Sequence, residues 1–230
     1  CDMSSNQYDV IGLGAGASGL MLAAKAAVRG RKVLVVEKAN KIGKKILMSG
    51  GGRCNFTNYF VEPEHFIGSN AHFCKSALSR YPSWEFIAMV EQHKIPYHER
   101  EHGQLFCDDS AQDILTMLLD ECTAVGVQVK LNTHIEQVKT DENNKRSRFE
   151  LITSKILSKK EKQERKNNGN QSKLLQISYR CESLVVATGG LSIPTLGASG
   201  FGYELAQQFG HTLVATDASL VPFTFTDKTG

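Results

Sequence analysis

Tyr8-Asp9-Val10-Ile11-Gly12-Leu13 is a β-branched, apolar run that stops at a glycine cluster, Gly14-Ala15-Gly16-Ala17-Ser18-Gly19. The run has the length and composition of a buried strand. Leu20-Met21-Leu22-Ala23-Ala24-Lys25-Ala26-Ala27-Val28-Arg29 comes directly after it, rich in small helix formers and ended by Gly30. Lys32-Val33-Leu34-Val35-Val36-Glu37 then reads as a second buried strand with an acidic last residue. Strand, tight turn, helix and strand make a βαβ unit of about thirty residues.

Each residue type in the unit has a physical task. Gly14 permits the sharp turn out of the strand, Gly16 lets backbone approach a diphosphate, and Gly19 lets the helix pack closely on the sheet. The free N–H groups of the first helical turn, at Ala17 and Ser18, point the positive end of the helix dipole at that charge. Glu37 lies eighteen residues beyond Gly19, at the end of the second strand, where a carboxylate accepts both hydroxyls of an adenosine ribose. A ligand-free glycine turn would share the glycines but would not require the acidic residue at that place.

The residues after Glu37 decide between NAD and FAD. A nicotinamide domain passes straight into its next helix, whereas this chain continues through Lys38 into Ser49-Gly50-Gly51-Gly52-Arg53-Cys54-Asn55-Phe56-Thr57-Asn58. This second glycine-rich loop carries a guanidinium able to neutralise phosphate, and Ser49 and Asn55 able to hydrogen-bond a ribityl chain or a flavin edge. The longer cofactor, FAD, is the expectation; a mobile surface loop is the alternative.

Composition bounds the remaining choices. The chain has 230 residues with 41% hydrophobic and 22% charged content, ordinary for a globular protein. No apolar run approaches the roughly 20 residues of a membrane span, so a cytoplasmic protein is expected. Cys1, Cys54, Cys74, Cys107, Cys122 and Cys181 form no Cys-x-x-Cys pair, which argues against a zinc ribbon and for reduced thiols. A net charge of +3 neither demands nor excludes a nucleic-acid partner.

In the middle of the chain, Ala71 to Tyr81 and Ser83 to Lys94 read as helices separated by Pro82. Ser110 caps a longer helix whose apolar face is Ile114, Leu115, Leu118, Leu119, Cys122 and Val125. Val127 to Leu131 reads as a strand, and His134 to Val138, Arg148 to Thr153 and Leu174 to Tyr179 as three strands of an antiparallel meander. Lys155 to Lys173 holds seven Lys and Arg and reads as a solvated hairpin excursion, with a grip on a phosphate backbone as the alternative. Ser183 to Ala187 is a buried strand ending in Thr188-Gly189-Gly190, a second place for backbone to approach the cofactor. Gly197 to Gly202 precedes a helix from Tyr203 to Phe209, and Gly200 and Gly202 join the expected contacts.

Ser49 to Asn58 (SGGGRCNFTN), with Ala187 to Pro194 (ATGGLSIP) and Phe201-Gly202-Tyr203, resembles the BaiN/RdsA-like, or YhiN-type, flavoproteins. The resemblance runs from about Tyr8 to Phe225 and is weak only between about Asp141 and Lys173. It implies an NAD(P)/FAD-dependent oxidoreductase, a family whose members reduce conjugated carbon–carbon double bonds in substrates as unlike as a steroid enone and a uracil ring of ribosomal RNA. An amine or aminoketone oxidase and an RNA uridine reductase are the alternatives within it. It also implies that Ile135, on the meander, brings backbone to the adenine. Related flavoproteins carry Asp where Phe201 stands and Pro where Cys107 stands, so neither side chain inherits a family role.

The fold expected is α/β: a Rossmann-like FAD-binding domain over residues 1–190, a parallel sheet with an antiparallel meander crossover, and the start of an inserted, truncated second domain over 191–230, entered near Val221-Pro222-Phe223. The resemblance implies well over a hundred further residues, including a segment that returns to cover the flavin. The cofactor-binding set is Gly14, Gly16, Ala17, Ser18, Gly19, Glu37, Lys38, Ser49, Gly50, Gly51, Arg53, Cys54, Asn55, Ile135, Thr188, Gly189, Gly190, Gly200 and Gly202, with NAD(P)H as electron donor and no metal site. Cys54 is a catalytic candidate because the neighbouring Arg53 would lower its pKa and make it a proton donor. His98 is the second, and Cys107 a further one.

Overall fold

A computed structural model describes residues 6–158, 161, 176–191 and 200–216. Nearly all of the basic segment between 159 and 175, residues 192–199 and the expected entry to a second domain beyond 216 lie outside them.

The opening unit forms as its pattern dictates: β1 (Gln7–Leu13), α1 (Ala17–Val28) and β2 (Val33–Val36). β1 and β2 pair in parallel, Val10 opposite Val33 through Leu13 opposite Val36. All four β2 residues are buried, so alternate side chains serve opposite faces of the sheet. Val33 and Val35 join one core with Leu20, Ala23, Ile114, Leu118 and Cys122, while Leu34 and Val36 join another with Ile11, Leu13, Leu151 and Leu205.

The first core is closed by α5 (Ala111–Ala124), whose buried stripe is Ala111, Ile114, Leu115, Met117, Leu118 and Cys122. Its start is where the sequence puts it: the Ser110 hydroxyl accepts from Gln112 N–H at 3.1 Å. Cys122 donates its thiol proton to Leu20 O at 3.3 Å, tying α5 to α1. Met117 was not expected in the stripe, and Leu119, expected there, is only partly buried.

β6 (Gln128–Lys130) extends the parallel sheet beyond β2. β7 (Thr133–Thr140), β8 (Phe149–Lys155) and β9 (Gln176–Val186) complete a sheet of order β6-β2-β1-β9-β8-β7. One expectation is corrected here, because Leu174 to Tyr179 and Ser183 to Ala187 are not separate strands. β9 is continuous, antiparallel to β8 from Gln176 to Cys181 and parallel to β1 from Arg180 to Val186. The charges at Arg180 and Glu182 do not interrupt it, because they sit on the opposite side of a period-two alternation in which Tyr179 and Cys181 are buried.

A second, three-stranded sheet was not foreseen. β3 (Asn55–Asn58), β4 (Tyr97–Glu99) and β5 (Gln104–Cys107) pair antiparallel in the order β3-β5-β4. The short helices α2 (Lys44–Met48), α3 (Lys75–Arg80) and α4 (Ser83–Gln92) belong to the same stretch of chain, and α4 packs on β3 through Phe86 against Phe56. α3 begins later than expected because the Asn70 side chain accepts from His72 N–H at 3.0 Å and holds a turn instead. α6 (Phe201–Gln208) packs on the end of β9. Among the described residues no helix is long and apolar enough to cross a membrane.

Candidate functional site

The first glycine loop is held from three sides. Gly14 N–H donates to Val36 O at 2.8 Å, and Ala187 N–H donates to Leu13 O at 2.8 Å. Gly14 has φ of +105°, and a Cβ there would lie 2.5 Å from Ala187 O. Only glycine satisfies both the conformation and the space. A Cβ on Gly19 would lie 1.9 Å from Gly14 O, which is how α1 starts so close to the turn. Gly16, by contrast, faces open space, and no side chain caps the α1 N-terminus. Ala17 and Ser18 are exposed, so the first turn of α1 is open to solvent.

Glu37 is the pin of this loop. One carboxylate oxygen accepts from Ala15 N–H at 2.8 Å and the other from Ala39 N–H at 2.7 Å. A carboxylate offers about four acceptor positions, so each oxygen retains one for a ligand hydroxyl. The same segment is tied to the meander. Glu37 N–H donates to Lys130 O at 2.8 Å and Thr133 N–H donates to Glu37 O at 3.0 Å, which sets Ile135 on the strand that leaves this point. Lys38 is exposed.

The second glycine loop comes after α2 and makes one tight turn, with Gly50 and Gly51 left-handed, before entering β3. Ser49 is turned inward: its hydroxyl donates to Ile46 O at 2.7 Å, and its carbonyl takes Cys54 N–H at 3.0 Å. Asn55, in the amide orientation that satisfies its surroundings, donates to Thr57 O at 3.0 Å and Leu105 O at 3.3 Å. Its side-chain oxygen is what remains for a ligand. Arg53 is exposed, while its carbonyl accepts from Cys107 N–H at 2.9 Å.

The expected activation of Cys54 is corrected by this geometry. Cys54 is buried, at 6% exposure, and desolvation pushes its thiol pKa up, with a hydrogen bond from Ser49 pulling weakly the other way. Burial penalises a thiolate more than an exposed neighbouring guanidinium relieves it. Cys107 is pushed up to about 12 by burial, then by Cys54 and the nearby Asp113 and Asp108. Both are neutral thiols at pH 7.

His98 stands in a different setting. Its Nδ1 lies 2.6 Å from Asp108 Oδ1, and Arg100 Nε donates to its Nε2 at 3.2 Å. Its ring stacks on Phe106 with centroids 6.3 Å apart. Phe106 in turn reaches the second glycine loop, where a Cβ on Gly50 would lie 2.8 Å from the ring.

The third glycine segment completes the arrangement. Thr188, Gly189, Gly190, Gly202, Ser18 and Tyr203 line a cleft of about 360 Å3 at the end of β9. A Cβ on Gly202 would lie 2.9 Å from the Thr188 hydroxyl, so α6 is seated against the strand end, with Gly200 at its N-cap. Lys45 Nζ donates to Gly190 O at 3.3 Å, bridging α2 to this segment. Lys45 and Arg100 were missed in the sequence. The His98-x-Arg100 spacing was the available signal, because period two puts both on one face of a strand.

The HI0933-like protein Rossmann domain family matches residues 8–224. A ribosomal RNA dihydrouridine synthase of Escherichia coli strain K12 is 47% identical over 95% of this chain and 48% of its own length. A 3-dehydro-bile acid delta(4,6)-reductase of Clostridium scindens is 27% identical over 91% of this chain and 46% of its own. The chain thus spans about half the length of the curated relatives it matches. Among solved structures, a 3-ketosteroid-delta4-(5alpha)-dehydrogenase from Rhodococcus jostii RHA1 superposes with a TM-score of 0.55 and 14% identity, covering 80% of this chain and 46% of that one. That likeness is one of fold.

Proposed function

The chain belongs to the HI0933-like Rossmann family, and on that premise we propose that its protein is an FAD-dependent reductase of an activated carbon–carbon double bond, the uracil ring of ribosomal RNA being the substrate. The observation that carries the substrate is the 47% identity to a ribosomal RNA dihydrouridine synthase over almost the whole chain, against 27% to the bile-acid reductase. Both relatives' names describe saturation of a double bond, so reaction class is the broader inference and RNA the narrower one.

The residues present fit FAD. The open space at Gly16 and the uncapped start of α1 suit a diphosphate. The acceptor positions left on Glu37 suit the adenosine ribose, the strand of Ile135 the adenine, and the cleft at Thr188, Gly189 and Gly190 the flavin half. When bound, FAD supplies the redox chemistry, carrying electrons from NAD(P)H to the ring. The chain's own residues bind and orient it. Gly51, Arg53 and the Asn55 side-chain oxygen would hold the same cofactor from the second loop. A neutral, buried Cys54 shapes that loop and holds its proton.

The test is direct. The protein, purified with its flavin, is given NADH or NADPH without oxygen and then ribosomal RNA from an E. coli strain lacking its dihydrouridine synthase. Bleaching of the flavin, reoxidation by the RNA and a gain of two hydrogens on one uridine are expected. FMN in place of FAD, or a flavin that an amine reduces and the RNA does not reoxidise, overturns the proposal.

A further inference from the structure

The side-chain cluster on the outer hairpin of the small sheet is not used by cofactor binding, and its chemistry is that of an anion site. Arg100 N–H donates to Gln104 O at 2.8 Å, closing the turn between β4 and β5. A guanidinium has only donors, so His98 Nε2, which it meets at 3.2 Å, is the acceptor. The imidazole proton therefore sits on Nδ1 and is donated to Asp108 at 2.6 Å. Arg100 Cζ lies 4.1 Å from the Phe106 ring centroid, a cation–π contact that fixes the plane of the guanidinium.

Two contacts thus hold a side chain that ordinarily wanders, and they occupy only Nε and one face. Among the described residues the two terminal amino groups of Arg100 have no hydrogen-bond partner, and the residue is exposed. A preoriented fork of that kind is the shape complement of a phosphate. The strand pleat puts His98 and Arg100 on one face and Glu99 on the other. Phe60, 61% exposed, lies against Gly103 at the same turn, where a Cβ would be 2.6 Å from its ring. An aromatic ring at the same turn as a guanidinium fork suits a base and its phosphate. The Phe106 ring that supports Arg100 also abuts Gly50, so the fork stands one ring away from the second cofactor loop.

We propose that Arg100, held by the Asp108–His98 pair and by Phe106, anchors a backbone phosphate of the RNA close to the nucleotide being reduced. This rests on the reading of the protein as an RNA uridine reductase. His98 and Asp108 are positioning residues that act through Arg100. The same fork could take a phosphate of the nicotinamide donor, and the experiment separates the two sources.

Arg100→Gln and Arg100→Lys are compared with wild type in full-length, flavin-loaded protein. Binding of a fluorescein-labelled oligouridine RNA is followed by anisotropy across a salt series, and flavin bleaching by NADPH is followed without oxygen. For Arg100→Gln, RNA affinity falls about tenfold, and the slope of log K against log salt drops by about 0.7, the value of one single-strand phosphate. Arg100→Lys keeps the slope and loses part of the affinity, because it keeps the charge without the fork. Flavin content, thermal midpoint and NADPH half-saturation stay at wild-type values in both. An unchanged slope in Arg100→Gln, or a raised NADPH half-saturation with RNA binding intact, overturns the anchor. Dihydrouridine formation by wild type is scored separately: its absence overturns the reading of function, while a lost slope component still supports the phosphate contact.

Discussion

The two glycine-rich loops look alike in sequence and are built on opposite plans. The first, Gly14 to Gly19, has its backbone packed against backbone, with Ala187 O at the turn and both oxygens of Glu37 taken by amides on either side. It leaves open space at Gly16 and an α1 start with no side-chain cap. The second, Ser49 to Asn55, ties the Ser49 and Asn55 side chains back to the protein and buries Cys54. Its exposed parts are glycine backbone, Arg53 and Asn55. Glycines in the first loop let backbone pack on backbone, whereas glycines in the second make the turn that enters β3.

If the plans differ so, breaking the pin of the first loop has the largest effect. Glu37→Ala removes one charge-assisted hydrogen bond to the loop at Ala15 and one to Ala39 beyond β2, each worth on the order of 1.5–3 kcal/mol. FAD affinity in the full-length protein is expected to fall at least about tenfold, measured by flavin fluorescence on dialysis. Affinity within about twofold of wild type would mean that Glu37 does not organise this loop.

Gly14→Ala comes next. The +105° φ alone costs on the order of 1–3 kcal/mol, and the 2.5 Å approach to Ala187 O adds to it. The thermal midpoint of the apoprotein is expected to drop by roughly 2–12 °C. An unchanged midpoint would show that the turn relaxes easily and is no tighter than the second.

Alkaline titration probes the second loop and the cores together. The thiols of Cys107 and Cys181 are pushed up to about 12 and that of Cys122 to about 11, chiefly by burial. For an acid whose folded pKa is raised, the folded state favours the neutral form. Stability is therefore full below the ordinary thiol value of 9.0 and is lost as the pH climbs toward 11 or 12. The slope is up to about 1.4 kcal/mol per pH unit for each thiol. Urea midpoints from pH 8 to 10.5 should decline, and less so in Cys107→Ala. A decline of equal steepness in that variant would show that Cys107 ionises freely in the folded protein.

Ser49→Ala is expected to have the smallest effect. Loss of one hydrogen bond to Ile46 O costs about 1 kcal/mol of stability, seen as a urea-midpoint shift, with FAD affinity within about twofold. A larger loss of affinity than of stability would return Ser49 to the ligand side and erase the contrast.

The βαβ unit, its glycines, the acidic end of β2 and the capped α5 were legible because their determinants are local: period, turn chemistry and a cap within a few residues. The small sheet was not legible. β3 and β5 are separated by some fifty residues, and their pairing is decided by which distant edge is available. For the same reason Cys54 reads as an activated thiol beside Arg53, although it is buried and its pKa is raised. Sequence adjacency places a residue along the chain but does not say which way it faces.

By itself the sequence determined a dinucleotide-type βαβ, a meander and a glycine-rich second loop, since conformation at Gly14 and apolar period at β2 are fixed by the residues themselves. Only the tertiary structure decided that β9 is one strand shared by two pairings. It also decided that Cys54 lies in a low-dielectric interior, and that Asp108, His98, Arg100 and Phe106 meet on one hairpin. Burial and partner geometry are properties of the packed chain, and they set whether a titratable side chain is silent or poised to bind.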